Sequence, residues 1–585
     1  MNALGTNIAH PVFGDRRSRI GALVIIALFL VVNARWIWLY RRGQLVDVDE
    51  AAYFSTAIID YVYGSEYGLR GWIFAVWSPS IEAPLTTAFT SLLYAFFGLG
   101  ATIGFATPLI AGTVCVAGAY ALGRSLGSPR AGVIAAALTA TCPVIVNYSR
   151  AFAFATPAAL FTTLTLVAFV KSRRFQARGW TYAFGICLGL MPLARTMTLA
   201  FIPGLAAAAL LALMVDSDDR PRRIGNLAIS LLLGAIVFLS WYVKNGLLVL
   251  EYLVDFGYGS HQNVYLQENS LANYSKLLDS AKNFLEFLYL PHVLYIMAGA
   301  FAGVFLFARL AVREGFRAAA GRSVRSPAVG VALFLAAGVV VLSSTGNKGT
   351  GFIAPLVPGL MALGATAICR LGEGRAARLA HGALAVGVAL IAGLPLLDLR
   401  PPLSNTWSVT LPVFGPTVVA QGRARIHLYQ EAAGLGDRTG PVIVDDPQVA
   451  AWRDLSARTA QVLHDMIGPR GAAVYAFCNA LYNYNTVNLD ELLERRQFFT
   501  NARVDPVETG DSVEGYSAWI GREVTGCAVL LTFDRTEGDL AAPVTRAFMD
   551  DAVARAGLVT VASFKAPDGG DILLWRRPDR PARCQ

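Results

Sequence analysis

Long apolar runs, separated by short polar segments, recur along the first two thirds of the chain. They begin near residues 20, 104, 131, 154, 179, 197, 224, 287, 327, 352 and 379. A helix needs about 20 apolar residues to cross the ~30 Å hydrocarbon core of a bilayer. The pattern therefore predicts a polytopic α-helical membrane protein with about 11 transmembrane helices. The first run, Ile20 to Tyr40, lacks a small-residue cleavage site, which predicts a retained helix rather than a signal peptide.

The polar segments between the runs predict the orientation of the helices. Alternate segments are rich in arginine, including Arg173, Arg174, Arg222, Arg223 and Arg313. Because basic loops stay in the cytoplasm, this bias predicts a cytoplasmic N-terminus. We expect the protein to lie in the inner or plasma membrane. With about 11 helices, the residues after the last helix are then extracytoplasmic.

One apolar run, Pro84 to Gly98, does not fit this alternation. At about 15 residues it is short for a span, and it follows a polar stretch. We expect it to form a helix that lies at the outer face or dips into it. The first outer loop then covers residues 41–103 and a second long outer segment covers about 246–286, and loops of this length are often functional.

The pattern changes after Pro401 and Pro402. Short β-type runs occur at Val442–Val444, Ala473–Phe477, Ala528–Phe533 and Leu558–Phe564, and helical spacing occurs in Val449–Met466 and Ala542–Arg555. This alternation predicts a soluble α/β domain. We therefore divide the chain into a transmembrane domain, residues 1–397, and an extracytoplasmic α/β domain, residues 398–585.

Composition agrees with a membrane protein. Hydrophobic residues make up 55% of the chain and charged residues 15%, whereas soluble proteins are about a quarter charged. The net charge of +9 reflects loop arginines, and no basic-aromatic motif indicates nucleic acid as a partner. The seven cysteines show no zinc-type spacing. An extracytoplasmic tail would allow a disulfide between Cys478 and Cys527, although the sequence does not establish it.

Three acids, Asp47, Asp49 and Glu50, open the first outer loop. Residues 49–63 have the spacing of an amphipathic helix, with Asp49 and Tyr53 on its polar face. A carboxylate at the membrane–water boundary is placed to act as a general base, which makes Asp49 or Glu50 a candidate catalytic residue. The alternative is that both acids satisfy the free N–H groups and the dipole of a helix N-terminus.

Further charges lie where the apolar runs meet the outer surface. Glu82 precedes the short apolar run, and Arg150, Arg195 and Lys348 each lie between two runs. Arg150 and Lys348 have the alternative of reaching into lipid headgroups. Arg195 is flanked by apolar sequence on both sides, which favours an anionic partner, either a protein carboxylate or a lipid-linked phosphate.

The second outer segment contains an aromatic and polar stretch with glycines, from Tyr252 to Asn263. It predicts either a segment that closes over a site or a surface helix cap with a turn. His261 alone does not make a metal site. Asp47 and Asp49 together do not complete a coordination shell, so we expect no required cofactor, with a divalent metal as the minor alternative.

The order of these motifs resembles the membrane GT-C glycosyltransferases, specifically the protein O-mannosyltransferases and the bacterial lipid A aminoarabinose transferases. Asp49-Glu50-Ala-Ala-Tyr53 resembles the acidic pair and tyrosine of the family's first outer loop. Glu82-Ala83-Pro84-Leu85 is similar to its Glu-x-Pro-Pro-Leu segment with one proline missing. Asn347-Lys348 with Phe352–Pro358 resembles its late lysine and proline-containing span. The resemblance covers roughly residues 20–400. Ala155-Thr156-Pro157 departs from it, because family members often carry an acid in this region.

The resemblance implies a sugar donor carried on a polyprenyl phosphate. The sugar would pass, with inversion, to a glycan, lipid or protein acceptor at the outer face. Asp49 would be the base, and Glu50 is the second candidate catalytic residue. The expected substrate-binding residues are Asp47, Tyr53, Glu82, Arg150, Arg195, His261 and Lys348, with the cations binding the donor phosphate.

Two other functions are compatible with the sequence. A transporter or flippase of a lipid-linked or polar substrate should place charges or broken helices at the membrane midplane, whereas these charges lie at the outer face. A non-catalytic receptor or assembly protein would act through residues 400–585 and would not need Asp49.

Overall fold

The computed structural model describes residues 12–41, 48–215, 219–259, 273–345, 350–372, 374–394, 407–420, 447–468, 471–477, 479, 482–534 and 546–579. The helices of the membrane part are α1 (Val12–Tyr40), α2 (Val48–Val76), α3 (Pro84–Phe97), α4 (Ala101–Gly104), α5 (Ala106–Leu126), α6 (Pro129–Ala140), α7 (Pro143–Tyr148), α8 (Ala155–Lys171), α9 (Arg178–Ala194), α10 (Ile202–Met214), α11 (Arg220–Tyr258), α12 (Asn273–Glu314), α13 (Phe316–Val324), α14 (Pro327–Ser344), α15 (Val357–Arg370) and α16 (Arg375–Gly393). Two 3-10 helices, Thr196–Phe201 and Thr350–Leu356, precede α10 and α15.

The prediction of a polytopic helical membrane protein is confirmed. Within the described residues, eight helical segments are long and apolar enough to cross a membrane: Arg16–Leu39, Thr102–Leu126, Thr196–Met214, Arg220–Tyr258, Phe287–Glu314, Pro327–Ser344, Gly351–Arg370 and Arg375–Gly393.

The other three predicted spans also contain helices, but these helices are shorter. The run near residue 131 is divided into α6 and α7, because Pro143 starts a new helix after the chain turns at Thr141 and Cys142. Helices α8 and α9 each contain 17 residues. The difference between eight and about 11 therefore comes from one broken helix and two short ones.

Helices α9 and α11 pack closely through small residues. A Cβ atom added at Gly185 would lie 1.8 Å from the carbonyl oxygen of Ser230, and one added at Gly189 would lie 2.4 Å from that of Gly234. Both helices thus carry a small residue every fourth position, the pattern that lets helix backbones approach in a membrane. This contact aligns α11 with α9, and both helices end near the candidate site described below.

The first outer loop contains the predicted helices. Helix α2 runs beyond the expected Asp49–Tyr63 segment and changes direction at Gly68, whose φ of 67° is in the left-handed region. Helix α3 is the expected short apolar helix, and Phe96 and Phe97 at its end are exposed. It packs against α2, so the two helices cover one end of the membrane bundle.

Helix α11 corrects the prediction of a loop beginning near residue 246. Its 39 residues extend for roughly 58 Å, well beyond a hydrocarbon core of ~30 Å. It ends at Gly259, whose N–H donates to the Asp255 carbonyl at 2.8 Å. The stretch that begins at Tyr252 is therefore a helix end up to Gly259, in agreement with the helix-cap alternative.

The soluble α/β domain is also confirmed. It begins with a hairpin, β1 (Trp407–Leu411) and β2 (Gly415–Ala420), and continues with α17 (Pro447–Ile467), β3 (Ala472–Tyr475), α18 (Tyr484–Arg495), β4 (Thr500–Arg503), α19 (Pro506–Thr509), α20 (Val513–Glu523), β5 (Ala528–Phe533), α21 (Arg546–Arg555), β6 (Val559–Lys565) and β7 (Asp571–Arg576). The five-stranded sheet has the order β4-β3-β5-β7-β6. Strand β3 is parallel to both β4 and β5, and β7 is antiparallel to both β5 and β6.

Two of the predictions for this region lie outside the described residues, namely the β-run Val442–Val444 and the domain boundary at 397. Cys478 is also outside them, whereas Cys527 is disulfide-bonded. The pairing of Cys527 with Cys478 stays a prediction.

The soluble domain docks onto α2. Helix α18 packs along α2, and the Asn485 side chain donates to the Val48 carbonyl at 3.0 Å. A single apolar cluster includes Phe54 and Ile58 of α2 together with Trp452 of α17 and Val487 of α18. The N-terminus of α2 is thus held from the membrane side and from the soluble side.

Candidate active site

The first turns of α2 supply an exposed acid and an aromatic ring. Asp49 is exposed in the first turn, and Tyr53 follows four residues later on the same face. The Tyr53 ring stacks on Phe154, which lies just before α8, with ring centroids 4.1 Å apart. The start of α2 is therefore placed against the segment between α7 and α8.

Glu82 reaches the same place from the loop before α3. The Glu82 N–H donates to the Ser80 hydroxyl at 2.9 Å, and the Ser80 N–H donates to the side-chain oxygen of Asn245 on α11 at 3.0 Å. The Thr56 hydroxyl of α2 donates to the Glu82 carboxylate at 3.4 Å. This loop is thus tied to both α11 and α2, which fixes the Glu82 carboxyl group.

Arg195 supplies a cation from the end of α9. The backbone becomes extended at Arg195, between α9 and the following 3-10 helix, and the guanidinium lies over the Phe352 ring at 4.7 Å from its centroid. A Cβ atom at Gly351 would lie 2.9 Å from the nearest Arg195 nitrogen. Gly351 therefore leaves the space that the guanidinium occupies.

The charges of these residues act on one another. Burial raises the pKa of Glu82 to about 7, the negative charge of Asp49 adds to this rise, and the Thr56 hydroxyl opposes it. Burial also holds the pKa of Tyr53 well above its ordinary value, with further contributions from Asp49 and Glu82, while Arg195 acts in the opposite direction. Asp49, Tyr53, Glu82 and Arg195 are therefore one electrostatic cluster.

Tyr252 belongs to this cluster and was not singled out from the sequence. The charges of Asp49, Arg195 and Glu82 all act on its hydroxyl. It follows Asn245 by two helical turns, so the two residues share a face of α11. The polar face of α11 contains a sequence signal for Tyr252. This signal can be recognised only if the helix is known to continue beyond the membrane.

The structure places Glu50 in a buried ion pair. Glu50 is 2% exposed, and its carboxylate binds the guanidinium of Arg41, which is equally buried at the end of α1. Glu50 also accepts a hydrogen bond from the Phe152 N–H at 2.9 Å. Arg41, which sequence reasoning missed, lies over the Phe105 ring at 4.6 Å. These contacts join α1, α2 and the segment before α8.

Arg150 lies against α1. It is 1% exposed. Its Nε donates to the Asn33 side-chain oxygen at 2.6 Å, and its guanidinium lies over the Trp36 ring at 4.5 Å. Asp47, His261 and Lys348 lie outside the described residues, so their predicted roles stay predictions.

No group of three or more His, Cys, Asp or Glu side chains that could hold a metal ion occurs among the described residues. The described cluster has two carboxylates, Asp49 and Glu82, beside a guanidinium and two phenol groups. Its donor set is therefore suited to binding hydroxyl groups and an anion.

Comparison with known proteins gives one family match and several similar solved structures. The model of the dolichyl-phosphate-mannose-protein mannosyltransferase family matches residues 81–243. No curated protein matches the chain. ArnT from Cupriavidus metallidurans in the apo state has a similar structure, with a TM-score of 0.52 and 16% identity over 94% of this chain and 97% of that chain.

Two ligand-bound structures are similar as well. ArnT from Cupriavidus metallidurans bound to undecaprenyl phosphate has a TM-score of 0.52 and 15% identity, covering 94% of this chain and 97% of that chain. The archaeal oligosaccharyltransferase AglB from Archaeoglobus fulgidus, in complex with an inhibitory peptide and a dolichol-phosphate, has a TM-score of 0.51 and 11% identity, covering 87% of this chain and 69% of that chain. At these identities the similarity establishes the fold.

Proposed function

On the premise of a GT-C fold like that of ArnT, with a segment matching the O-mannosyltransferase family, we propose that the protein is a glycosyltransferase. It transfers a sugar from a polyprenyl phosphate to an acceptor at the outer face of the membrane, with inversion. The observation that carries this proposal is the cluster of Asp49, Tyr53, Glu82 and Arg195, which places an exposed carboxylate and a guanidinium at one end of the bundle.

Asp49 is the proposed general base. It is exposed, so an acceptor hydroxyl from solution or from the membrane surface can reach it. As the acceptor oxygen bonds to the anomeric carbon, Asp49 takes the hydroxyl proton, and the bond from that carbon to the phosphate oxygen breaks. The electron pair of the broken bond leaves with the polyprenyl phosphate. Attack from the face opposite the phosphate inverts the anomeric centre.

Arg195 is the proposed partner of the donor phosphate. The phosphate gains negative charge as the sugar departs, and a fixed cation stabilises that charge most where water is excluded. Arg195 is half-buried and held between Phe352 and the backbone at Gly351. Lys348, four residues before Phe352 in sequence, is proposed as a second phosphate contact on the family resemblance alone.

Glu82, Tyr53 and Tyr252 are proposed to hold hydroxyl groups of the sugar or the acceptor. Since the pKa of Glu82 is about 7, this carboxyl group is present in both protonation states near neutral pH. It can then accept or donate a hydrogen bond. The two phenol groups lie in the same electrostatic cluster and act as further donors.

Glu50 and Arg150 are proposed to position the site instead of contacting substrate. The buried pair of Glu50 with Arg41, and the Phe152 N–H bound to Glu50, fix the start of α2 against the segment that carries Phe154. Arg150 holds this same segment against α1. Both residues were predicted to contact substrate or take part in catalysis, and the geometry favours this indirect role.

An extracytoplasmic site is supported by the disulfide at Cys527, since disulfides persist mainly in oxidising compartments. The soluble domain that carries Cys527 packs on α2. The candidate site is therefore on the same side of the membrane as this domain.

The test uses the full chain in nanodiscs with radiolabelled polyprenyl-phosphate monosaccharides and an extract of native membranes. We expect the label to move from the lipid to an acceptor, and the acceptor-bound sugar to have the opposite anomeric configuration. Movement of intact lipid-linked sugar between leaflets of proteoliposomes, without bond cleavage, would support the flippase alternative. Absence of both donor binding and transfer across the panel of sugars would support the non-catalytic alternative.

A further inference from the structure

A cavity lies at the opposite end of the bundle from the candidate active site. It has a volume of about 320 Å³ and is bordered by the end of α8, the end of α10 and the start of α14. The active-site end of α8 is at Phe154 and that of α9 is at Arg195, whereas this cavity is at the loop that connects their other ends. The proposed transfer reaction makes no use of it.

Three arginines line this cavity, and they are Arg173, Arg174 and Arg325. Arg173 and Arg325 are exposed, and Arg174 is half-buried and donates to the Arg325 carbonyl at 2.7 Å. The lining residues that the structure describes include no acid. Helix α14 begins beside them at Pro327, so its N-terminal dipole adds to the positive potential. The mouth of the cavity therefore attracts anions.

Apart from Gln176 and Ser326, the rest of the wall is apolar and borders a surface suited to lipid. Phe169, Leu211 and Val324 line the cavity. On the outside of α10, Leu210 is 60% exposed and Met214 is 71% exposed. Two of the candidate spans, Thr196–Met214 and Pro327–Ser344, have their ends here. The cavity is thus at the level where hydrocarbon gives way to water, with apolar walls on one side and guanidinium groups on the other.

The loop that carries two of the arginines is held in an unusual conformation. Arg173, Arg174 and Phe175 have φ angles of 51°, 59° and 70°, and non-glycine residues in this region occur mainly where the surroundings enforce them. Phe175 is fully buried and its ring lies 5.8 Å from that of Phe184.

Buried polar side chains of α11 complete this support. Arg223 donates to the Arg174 carbonyl at 2.8 Å, and Asn226 donates to the Phe175 carbonyl at 2.8 Å. Arg223 is fully buried and Asn226 is 4% exposed. The loop is therefore preorganised, and it presents two guanidinium groups to one cavity.

From this arrangement we propose that the cavity bounded by Arg173, Arg174 and Arg325 binds the headgroup phosphate of an anionic phospholipid in the leaflet opposite the active site. The guanidinium groups bind the phosphate, since arginine matches its geometry with paired donors. The apolar wall contacts the first part of an acyl chain. A phospholipid satisfies both halves of the cavity, whereas a soluble phosphate satisfies only the charged half.

The test measures binding of phosphatidylglycerol and phosphatidylcholine to the purified full chain by native mass spectrometry. The variant R173A/R325A removes two cavity arginines. The control R313A/R317A removes the same charge from exposed residues of α12 and α13 that do not line the cavity. We expect the wild type and the control to prefer phosphatidylglycerol. We expect R173A/R325A to bind it roughly 30-fold more weakly, because it loses two guanidinium groups that line the cavity, each contributing roughly fivefold.

Equal weakening in the two double variants would overturn the proposal, because it would show a diffuse attraction to basic loops. Thermal stabilisation of the wild type by inorganic phosphate alone, as large as that by phosphatidylglycerol, would overturn the assignment to a lipid. Unfolding temperatures of all variants, measured in a neutral detergent, test whether the fold is lost. We expect them to be unchanged, because the replaced side chains are exposed.

Discussion

Two carboxyl groups near the candidate site are stabilised in their protonated forms, and both owe this to burial. Glu82 and Asp60 each have a pKa raised to about 7. Asp60 is 2% exposed on α2, which is not one of the eight candidate spans, and the hydroxyl of Thr87 opposes the rise of its pKa. Asp49 lies near Glu82 but is exposed. Neighbouring acids in unlike surroundings can then hold different protonation states at one pH.

Asp60→Asn is expected to make stability less dependent on pH. The folded state raises the pKa of Asp60 from 3.8 to about 7, so it binds more protons than the unfolded state in this interval. The wild type therefore loses stability as pH rises from about 4 to about 7, by at most roughly 4 kcal/mol. Thermal unfolding in detergent should show that the stability of the variant relative to that of the wild type increases as pH rises across this interval. A constant difference at all pH values would contradict the burial of an ionisable Asp60.

Arg195→Gln is expected to weaken donor binding and to slow transfer. The lost charge-assisted contact to a phosphate corresponds to about 1.5–3 kcal/mol, or roughly tenfold to a hundredfold in kcat/KM. Arg195→Lys should recover part of this loss, because it keeps the charge but not the paired donors. Transfer kinetics with a single lipid-linked sugar give the donor KM and kcat/KM of each variant. Unchanged kinetics in Arg195→Gln would show that the donor phosphate binds elsewhere.

The residue patterns indicated part of this site and missed the rest for physical reasons. Arg195 was recognisable because apolar sequence flanks it on both sides, and Asp49, Tyr53 and Glu82 were recognisable because they resemble the motifs of the first outer loop in the GT-C family. Arg41 was missed because a basic residue after a span resembles an ordinary flanking charge, and its pairing with Glu50 needs three-dimensional contact. Arg150 was predicted to contact substrate, but only the structure shows it turned toward Asn33.

At the scale of elements, the position of α2 depends on contacts from two domains. Its polar face carries Asp49 and Tyr53, and its apolar face packs into a cluster that includes α18. The Asn485 side chain binds the Val48 carbonyl, directly before Asp49. The soluble domain is therefore expected to set the orientation of the proposed base, in addition to any role that this domain has in acceptor binding.

Asn485→Asp is expected to lower kcat with little change in donor KM or unfolding temperature. The substitution removes the N–H donor to Val48 and keeps the size of the side chain, so Asp49 loses a positioning contact. Asn488→Asp is the matched control, because Asn488 donates to the Phe499 carbonyl inside the soluble domain at 3.4 Å. The control should affect stability alone. Equal kcat values for the two variants would show that Asn485 has only a structural role.

Gly185→Ala is expected to destabilise the membrane domain. The added methyl group would lie 1.8 Å from the Ser230 carbonyl oxygen, and overpacking of this kind costs about 1–3 kcal/mol. Gly225→Ala on α11 is the control, because its Cβ atom would have nothing within 4 Å. Thermal unfolding in one detergent compares the two. Destabilisation of the same size in both would contradict the close packing of Gly185 against Ser230, because helix propensity alone favours alanine over glycine at both positions.

The apolar and β-type patterns predicted most elements because helix and strand periods are local properties. The break between α6 and α7 was missed, since a proline can either end or bend a helix in a membrane. The full length of α11 was missed, since Lys244, Glu251 and Asp255 interrupt its apolar sequence. Strand β4 carries one apolar residue and does not stand out, whereas β7 contains the short apolar run Ile572–Trp575 and was overlooked. Their pairing in the sheet comes from tertiary contacts.

At the scale of the whole molecule, the two ends of the bundle have different chemistry. One end combines carboxylates, phenol groups and Arg195 beneath the soluble domain, and the other combines arginines with an apolar cavity. Fold similarity to ArnT extends over 94% of the chain, so both domains belong to this common architecture. Every described residue of the cluster lies at the end that the soluble domain covers. This position is expected if the reaction takes place there.

The most direct measurement compares wild type and Asp49→Asn in donor binding and in single-turnover transfer. We expect similar donor affinity and a transfer rate lower by about 10²–10⁴, the contribution typical of a general base. Asp60→Asn, a neighbouring acid on the same helix, should keep near wild-type transfer. A transfer rate in Asp49→Asn equal to that of the wild type, with donor bound, would contradict the assignment of Asp49 as the base.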